Sequence, residues 1–183
     1  MEFREVVKQR RSLRSFAPVE VGEALIKDLA AVAGLAPSCS NKQPWRFVFV
    51  RSPGMLERMV ATLAPGNAAW AKQACMIVAV WSQADLDCWT PDGRDYYQFD
   101  TGMASALLML AATERNLTAH PIAGFDPQSA RRVLALPEGA QVITLIIVGG
   151  YTREISPALA DWQIKGEKER PARMPFEAFA TIV

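Results

Sequence analysis

Apolar residues recur along this chain with two different periods, and the alternation between them lays out a fold. Phe3, Val6 and Val7 fall at helical spacing within residues 2–9 and predict a short amphipathic helix. Over residues 21–35, Leu25, Ile26, Leu29 and Ala33 form the stripe of a second helix, with Glu23 in its first turn and Pro37 as its stop. Residues 45–50 are aromatic and β-branched, as in a strand. Ser52 and Pro53 then open a helix carrying Met55, Leu56, Met59, Val60 and Leu63, with Ser52 the expected cap. Pro65-Gly66-Asn67 reads as a loop, and residues 68–74 fit neither period. Residues 76–81 are apolar throughout, as a strand buried on both faces would be. The polar stretch 82–95, with a turn at Pro91-Asp92-Gly93, predicts a mobile excursion.

A long helix follows over residues 99–116, apolar on most faces around Met103, Leu107, Leu108, Met109 and Leu110. A helix apolar all round is buried in a large core or against another subunit. In a chain of 183 residues, a central helix shared with a partner is the expectation. Residues 120–126 read as a loop, 128–134 as a short helix, and 142–148 as the clearest strand, ended by Gly149-Gly150-Tyr151. The tail, residues 151–183, is mostly polar and extended; it carries Lys165, Lys168, Arg170 and Arg173 and ends in Phe176, Phe179 and Ile182. Such a tail is expected to wrap a neighbouring subunit. Few long strands with helices between them point to a three-layer α+β fold, one domain over 1–183.

Composition narrows the partners. The chain is 50% apolar and 21% charged, an ordinary globular balance, and its net charge of +1 argues against nucleic acid or an anionic membrane surface. The longest apolar stretch, residues 103–112, is about half the ~20 residues that a bilayer crossing takes. With a charged start, Met-Glu-Phe-Arg-Glu, and no signal peptide, a soluble protein is expected. Cys39, Cys75 and Cys88 include no C-x-x-C pair, and His120 is the sole histidine. Neither a disulfide framework nor a metal site is favoured, and a reducing cytoplasm fits.

The chain has no G-x-S-x-G elbow, P-loop, H-E-x-x-H or G-x-G-x-x-G. His120 reads as structural before catalytic, and Cys39 lacks a neighbouring base that would make it a nucleophile. Two polar stretches remain. Arg10-Arg11-Ser12-Leu13-Arg14-Ser15-Phe16 offers guanidinium forks and hydroxyls suited to phosphate oxygens, or simply a solvated loop. Residues 36–47, rich in hydroxyls and amides and closed by Pro44-Trp45, offer either a ligand loop or a helix stop and turn. A site of arginines, hydroxyls and backbone, with no evident acid or base, suits a cofactor that carries its own chemistry.

The sequence resembles the FMN-dependent nitroreductase family over most of its length. Arg10-Arg11-Ser12-Leu13-Arg14-Ser15-Phe16 is similar to that family's R-R-S-x-R-x-F opening, and Ala36-Pro37-Ser38-Cys39-Ser40-Asn41-Lys42-Gln43-Pro44-Trp45 to its A-P-S-x-x-N-x-Q-P-W loop. Pro121-Ile122-Ala123-Gly124-Phe125-Asp126 is similar to its P-h-x-G-F-D turn, and Arg173-Met174-Pro175-Phe176-Glu177 to its closing R-x-P-h-E.

The resemblance implies a mixed, mostly antiparallel sheet flanked by helices, and a homodimer with non-covalent FMN at its interface. Arg10, Ser12 and Arg14, with Arg11, would hold the phosphate and ribityl chain, and Arg173 would close on the phosphate. Pro37, Ser38, Cys39 and Asn41 would come from the other subunit, Ile122, Ala123 and Gly124 would run along the ring, and Asn67 would meet its pyrimidine side. No residue would be catalytic in its own right. The implied reaction is ping-pong: hydride from NAD(P)H to flavin N5, then electrons to a nitroaromatic, quinone or similar acceptor. Dehydrogenation or dehalogenation on the same scaffold, or flavin delivery without turnover, are the alternatives. Ala123 departs from relatives that carry Glu there, and Trp70 stands in place of a lysine, adding a possible stacking surface. Trp89, Tyr96 and Tyr97 would shape the substrate pocket or pack at the interface.

Overall fold

The computed structural model describes residues 2–183. At its centre lies a sheet in the order β1 (Arg46–Val50), β2 (Met76–Ser82), β4 (Gln141–Gly150), β3 (Leu117–Ile122), antiparallel at every pairing. Successive strand residues point to opposite faces, and here both faces are covered. Met76, Val78, Val80, Ile146 and Val148 pack under α2 (Glu23–Ala33) and α5 (Tyr96–Glu114). Ile77, Ala79, Leu145 and Ile147 face the opposite layer, which holds α3 (Pro53–Val60), α4 (Pro65–Ala71) and α6 (Pro127–Val133). Double coverage is why β2 and the centre of β4 carry no polar alternation. The result is the expected three-layer α+β arrangement, with α1 (Phe3–Gln9) beside α5.

Several elements differ from the sequence reading. Residues 65–67 are not a loop: Pro65 is the first residue of α4, where its missing N–H costs nothing, and Asn67 is helical. Residues 117–122 form β3 rather than a loop. Pro121 is tolerated there because β3 is an edge strand, with one side free of ladder bonds. Gly149 and Gly150 continue β4, and Gly150 pairs with Ala17 through reciprocal N–H···O bonds of 2.9 Å. A Cβ at Gly150 would lie 2.9 Å from the Ala17 carbonyl oxygen, so the close approach needs glycine. Ser52 occupies the cap of α3, but its side chain makes no capping bond.

The tail also departs from an extended strap. It contains α7 (Asp161–Lys168) and a single 3-10 turn at Phe176–Ala178, and it buries Leu159 and Gln163 against its own chain. Phe176, Phe179 and Ile182 beyond it stay exposed. α5 is not buried all round: Leu108, Ala111 and Ala112 face the sheet, while Met103, Leu107 and Leu110 are half-buried and Phe99 is open.

Candidate functional site

The basic stretch after α1 is held from three sides. Arg11 Nη2 donates to the carbonyls of Gly166 at 2.7 Å and Glu167 at 3.0 Å, at the C-terminal turn of α7, where carbonyls lack helical partners. The Glu167 carboxylate accepts the N–H groups of Arg14 and Ser15. Arg170 Nη2 donates to the carbonyls of Lys8 and Arg10. Arg11 is therefore committed to α7 by its side chain. Arg170, outside the sequence motifs, joins the cluster; the run of cations from Lys165 was the only sequence sign of it.

These contacts leave Arg10 facing other cations. Its Nη1 donates to Ser12 Oγ at 3.3 Å, and its pKa is lowered by burial and then by the charges of Arg170 and Arg173. Among the described residues, no ion pair engages Arg10, Arg170 or Arg173. Three guanidiniums without a carboxylate, beside a hydroxyl, make a cradle for a compact dianion such as a phosphate monoester.

Arg14 lies deeper. Its guanidinium carbon sits 5.9 Å from the Trp70 ring centroid and 5.1 Å from that of Trp162, and its Nε is buried without a partner. Burial lowers its pKa despite the Glu167 carboxylate. Trp70 is fully buried, 5.9 Å from Phe16 and 5.0 Å from His120 between ring centroids, so it is core and not the stacking surface expected. His120 stands in β3 with Nδ1 3.0 Å from the Leu13 carbonyl oxygen. Burial, and then Arg14 and Arg10, bring its pKa to about 4 against the opposing pull of the Leu13 bond. The ring is neutral at pH 7 and its Nδ1–H donates to Leu13. It positions the arginine stretch from within.

The turn after β3 joins the same side. Asn67 Nδ2 donates to the Gly124 carbonyl at 3.0 Å, as does the Ala64 N–H, and Leu63 pairs with Phe125. A Cβ on Gly124 would come within 2.6 Å of Asn67 Nδ2, so a side chain there would displace the Asn67 amide from this contact. Arg10, Arg11, Ser12, Arg14, Asn67, Ile122, Ala123 and Gly124 thus share one region, with Arg173 reaching it by charge.

Pro37, Ser38, Cys39 and Asn41 lie elsewhere. The Cys39 N–H donates to Asp100 Oδ2 at 2.7 Å near the start of α5, whereas Leu13 and Arg11 line a cleft with Thr113 near its end. At 1.5 Å per residue the two halves stand about 20 Å apart along α5. One chain does not bring them together.

Cys39 is bonded to Cys88 in a disulfide across 49 residues, against the expectation of free thiols, while Cys75 is free. Cys39 is accordingly a bridge residue. The spacing of the cysteines gave no sign of this; the fold of residues 83–95 back onto the loop creates it. Tyr97 is buried and donates its O–H to Gln141 Oε1 at 2.7 Å, which commits it to the body, and Trp89 is open to solvent.

The sequence matches the profile of the Nitroreductase family over residues 7–64 and 55–151. It is 29% identical over 168 residues to a 5,6-dimethylbenzimidazole synthase of Rhodobacter capsulatus, covering 79% of this chain and 81% of that one. It is 27% identical over 180 residues to an NADH dehydrogenase of Thermus thermophilus, covering 82% and 87%. A solved structure of an oxidoreductase containing FMN superposes with a TM-score of 0.81 at 28% identity, covering 96% of this chain and 89% of that one.

Proposed function

This chain belongs to the nitroreductase family, and from that premise we propose that it is an NAD(P)H-dependent oxidoreductase that holds FMN at the interface of a homodimer. The observation that carries the reading is the guanidinium cluster of Arg10, Arg170 and Arg173 beside Ser12, which lacks an internal counterion and fits the FMN phosphate. Arg14, with its buried, unpartnered Nε, would hold the ribityl chain, and Ile122, Ala123 and Gly124 with Asn67 would border the ring. FMN, when bound, would supply the redox chemistry, hydride acceptance from NAD(P)H and electron transfer to a nitroaromatic, quinone or similar electron-poor acceptor. The residues around it bind and orient, and exposed N–H groups favour the negative charge of a reduced ring.

The dimer reading rests on geometry. Pro37, Ser38 and Asn41 stand at the other end of α5 from the arginines, and a two-fold copy antiparallel along α5 would place one chain's loop beside the other's cradle. Phe99, Met103, Leu107 and Leu110 supply an apolar stripe for such a contact, and the exposed Phe176, Phe179 and Ile182 suit a tail lying on the partner. Among the described residues no helix is long and apolar enough to cross a membrane, in keeping with a cytoplasmic enzyme.

Purified protein should be yellow, with a flavin spectrum and FMN released on denaturation. A colourless protein that cannot be reconstituted with FMN overturns the reading. Similarity to a protein named a synthase favours a second reading, a specialist acting on something other than nitro groups. Screening the reduced protein against nitroaromatics, quinones and enones decides between them.

A further inference from the structure

The stretch 38–43 is fastened to the rest of the chain by very little. Its other hydrogen bonds are local: Gln43 N–H to Ser38 Oγ, Gln43 Nε2 to Asn41, Asn41 N–H to Ser38, and Lys42 N–H to Cys39. Arg46 Nη1 at the start of β1 donates to the Gln43 carbonyl at 2.9 Å, and among the described residues the one hydrogen bond to an element remote in sequence runs from the Cys39 N–H to Asp100. The backbone between these points is strained: Ser40, Asn41 and Gln43 have φ of 46°, 57° and 50°, in the left-handed region that non-glycine residues rarely occupy. The bond to Cys88 is the covalent tie between this conformation and the 83–95 segment.

That bond sits where chemistry can reach it. Cys39 opens a single 3-10 turn, Cys39–Asn41, and Cys88 lies in an irregular segment; neither sulfur-bearing residue is fully buried, and their Cα atoms are 6.1 Å apart. Two acids stand beside the bridge. The Cys88 N–H donates to Asp87 Oδ1 and the Cys39 N–H to Asp100 Oδ2, which leaves Asp87 Oδ2 and Asp100 Oδ1 buried with no partner. A carboxyl of Asp87 lies within 4.8 Å of both sulfurs. Burial, and then the proximity of Asp100, raise the Asp87 pKa against the Cys88 N–H and Lys42. The Asp87 carboxyl, with its pKa raised by burial, thus stands beside the sulfurs, and it has no part in the proposed flavin site.

We propose that the Cys39–Cys88 pair is a reversible thiol–disulfide latch that clamps residues 38–43 to the 83–95 segment and is opened by a dithiol reductant. A reductant thiolate attacks one sulfur, the S–S bond breaks, and the electron pair goes to the leaving sulfur, which takes a proton from Asp87 where that carboxyl is protonated and otherwise from water. The reductant's second thiol then displaces the protein sulfur from the mixed disulfide. In sum, the dithiol gives up two electrons and two protons, becoming a disulfide, and the protein holds two thiols. Opening frees the loop from its left-handed turn. In a reducing compartment such a bond persists only as one that cycles, which is how a redox-responsive latch works.

The test uses the full-length protein, after treatment with glutathione disulfide and again after dithiothreitol without denaturant. Thiols are counted by native alkylation and mass spectrometry, and amide exchange is followed through residues 38–43. The oxidised protein should label at Cys75 only, and the reduced protein also at Cys39 and Cys88. Exchange at 38–43 should rise about tenfold on reduction while β2 and β4 stay protected, as expected for local opening. Cys88→Ser, and separately Cys39→Ser, should show the fast exchange in both conditions, and Asp87→Asn should slow reduction most at low pH. A bridge that opens only on unfolding overturns the proposal. So do thiols that glutathione disulfide fails to couple, including a pair held by stoichiometric zinc, and exchange at 38–43 that ignores the state of the bond. The latch loop includes Ser38 and Asn41 of the proposed flavin site, but the thiol count requires no FMN, so a failed latch is distinguishable from a failed flavin reading.

Discussion

The carboxylate of Glu167 accepts the Arg14 N–H at 2.9 Å across 153 positions of chain, and its other oxygen takes the Ser15 N–H at 3.2 Å. The helix in the tail is thereby the support of the arginine stretch. A carboxylate with two N–H donors favours a single backbone path, and Arg11, bonded to the last carbonyls of the same helix, fixes it from the other direction. Glu167→Ala should lower unfolding free energy in urea by about 2 kcal/mol, since hydrogen bonds to a charged group contribute roughly 1.5–3 kcal/mol each and this site is half-buried. Glu167→Gln, which keeps an acceptor, should lose about half as much. Equal stability of all three proteins would show that α7 does not support the stretch.

Arg10 and Arg173 repel each other with no ligand between them, so removing either should relieve the apo-protein and weaken anion binding together. Arg10→Ala should raise the FMN dissociation constant about 10- to 100-fold, the worth of one charge-assisted contact. Arg173→Ala should act in the same direction, and the double variant should be isolated without flavin. Fluorescence titration with FMN and with riboflavin separates phosphate from ring: the variants should approach the wild type toward riboflavin. Undiminished FMN binding would remove the phosphate from this cradle.

How much of this was legible follows from which contacts are local. Residues 76–81 and 142–148 declare themselves as buried strands because their surroundings are apolar on both faces, and the fold class follows from them. His120-Pro121 reads as a loop because proline breaks ladders in general; only the position of β3 at the sheet edge lifts that objection. Pro65-Gly66 reads as a turn, although the same proline suits a helix start. The site motifs are visible as residue types, but the bonds of the Arg11 side chain to the last carbonyls of α7 are not, and the bond from Cys39 to Cys88 exists only once two distant loops have met. Local chemistry is written in the sequence, whereas the partner of each group is decided by packing.

The half-sites at the two ends of α5 predict that flavin binding and dimerisation are lost together. Leu107 lies half-buried on α5 at the edge of the small cluster of Ala36, Trp45 and Ala104, and Leu107→Arg would place a cation in the proposed interface without entering the core under Leu108. The variant should sediment as a monomer, keep its far-UV circular dichroism and bind FMN at least tenfold more weakly, because each cradle would lack its opposing loop. A monomer that still holds FMN as tightly as the wild type would show that one chain suffices.

His120 sets a pH dependence whose sign is definite. Its folded pKa is about 4, below the ordinary 6.5, chiefly because burial disfavours the charged ring and secondarily because Arg14 and Arg10 are near. Between those values the unfolded chain binds a proton that the folded chain does not, so stability rises with pH across this window. The contribution is complete above about pH 6.5, is lost progressively as pH falls, and is fully lost below about pH 4, for a total of about 3 kcal/mol at 1.36 kcal/mol per pH unit. Asp126, held below its ordinary pKa by Ser129, titrates at lower pH, and the raised pKa of Asp87 works in the opposite direction, so the comparison must be with a variant. His120→Gln offers an amide donor to the Leu13 carbonyl and no titrating group. It should be less stable than the wild type at pH 7.5 and show a flatter stability curve between pH 7 and 4.5, so that the two proteins converge in acid. Parallel curves, measured by urea unfolding at half-unit intervals of pH, would mean that His120 takes up its proton over the same pH range in the folded and unfolded chains, so that burial does not lower its pKa.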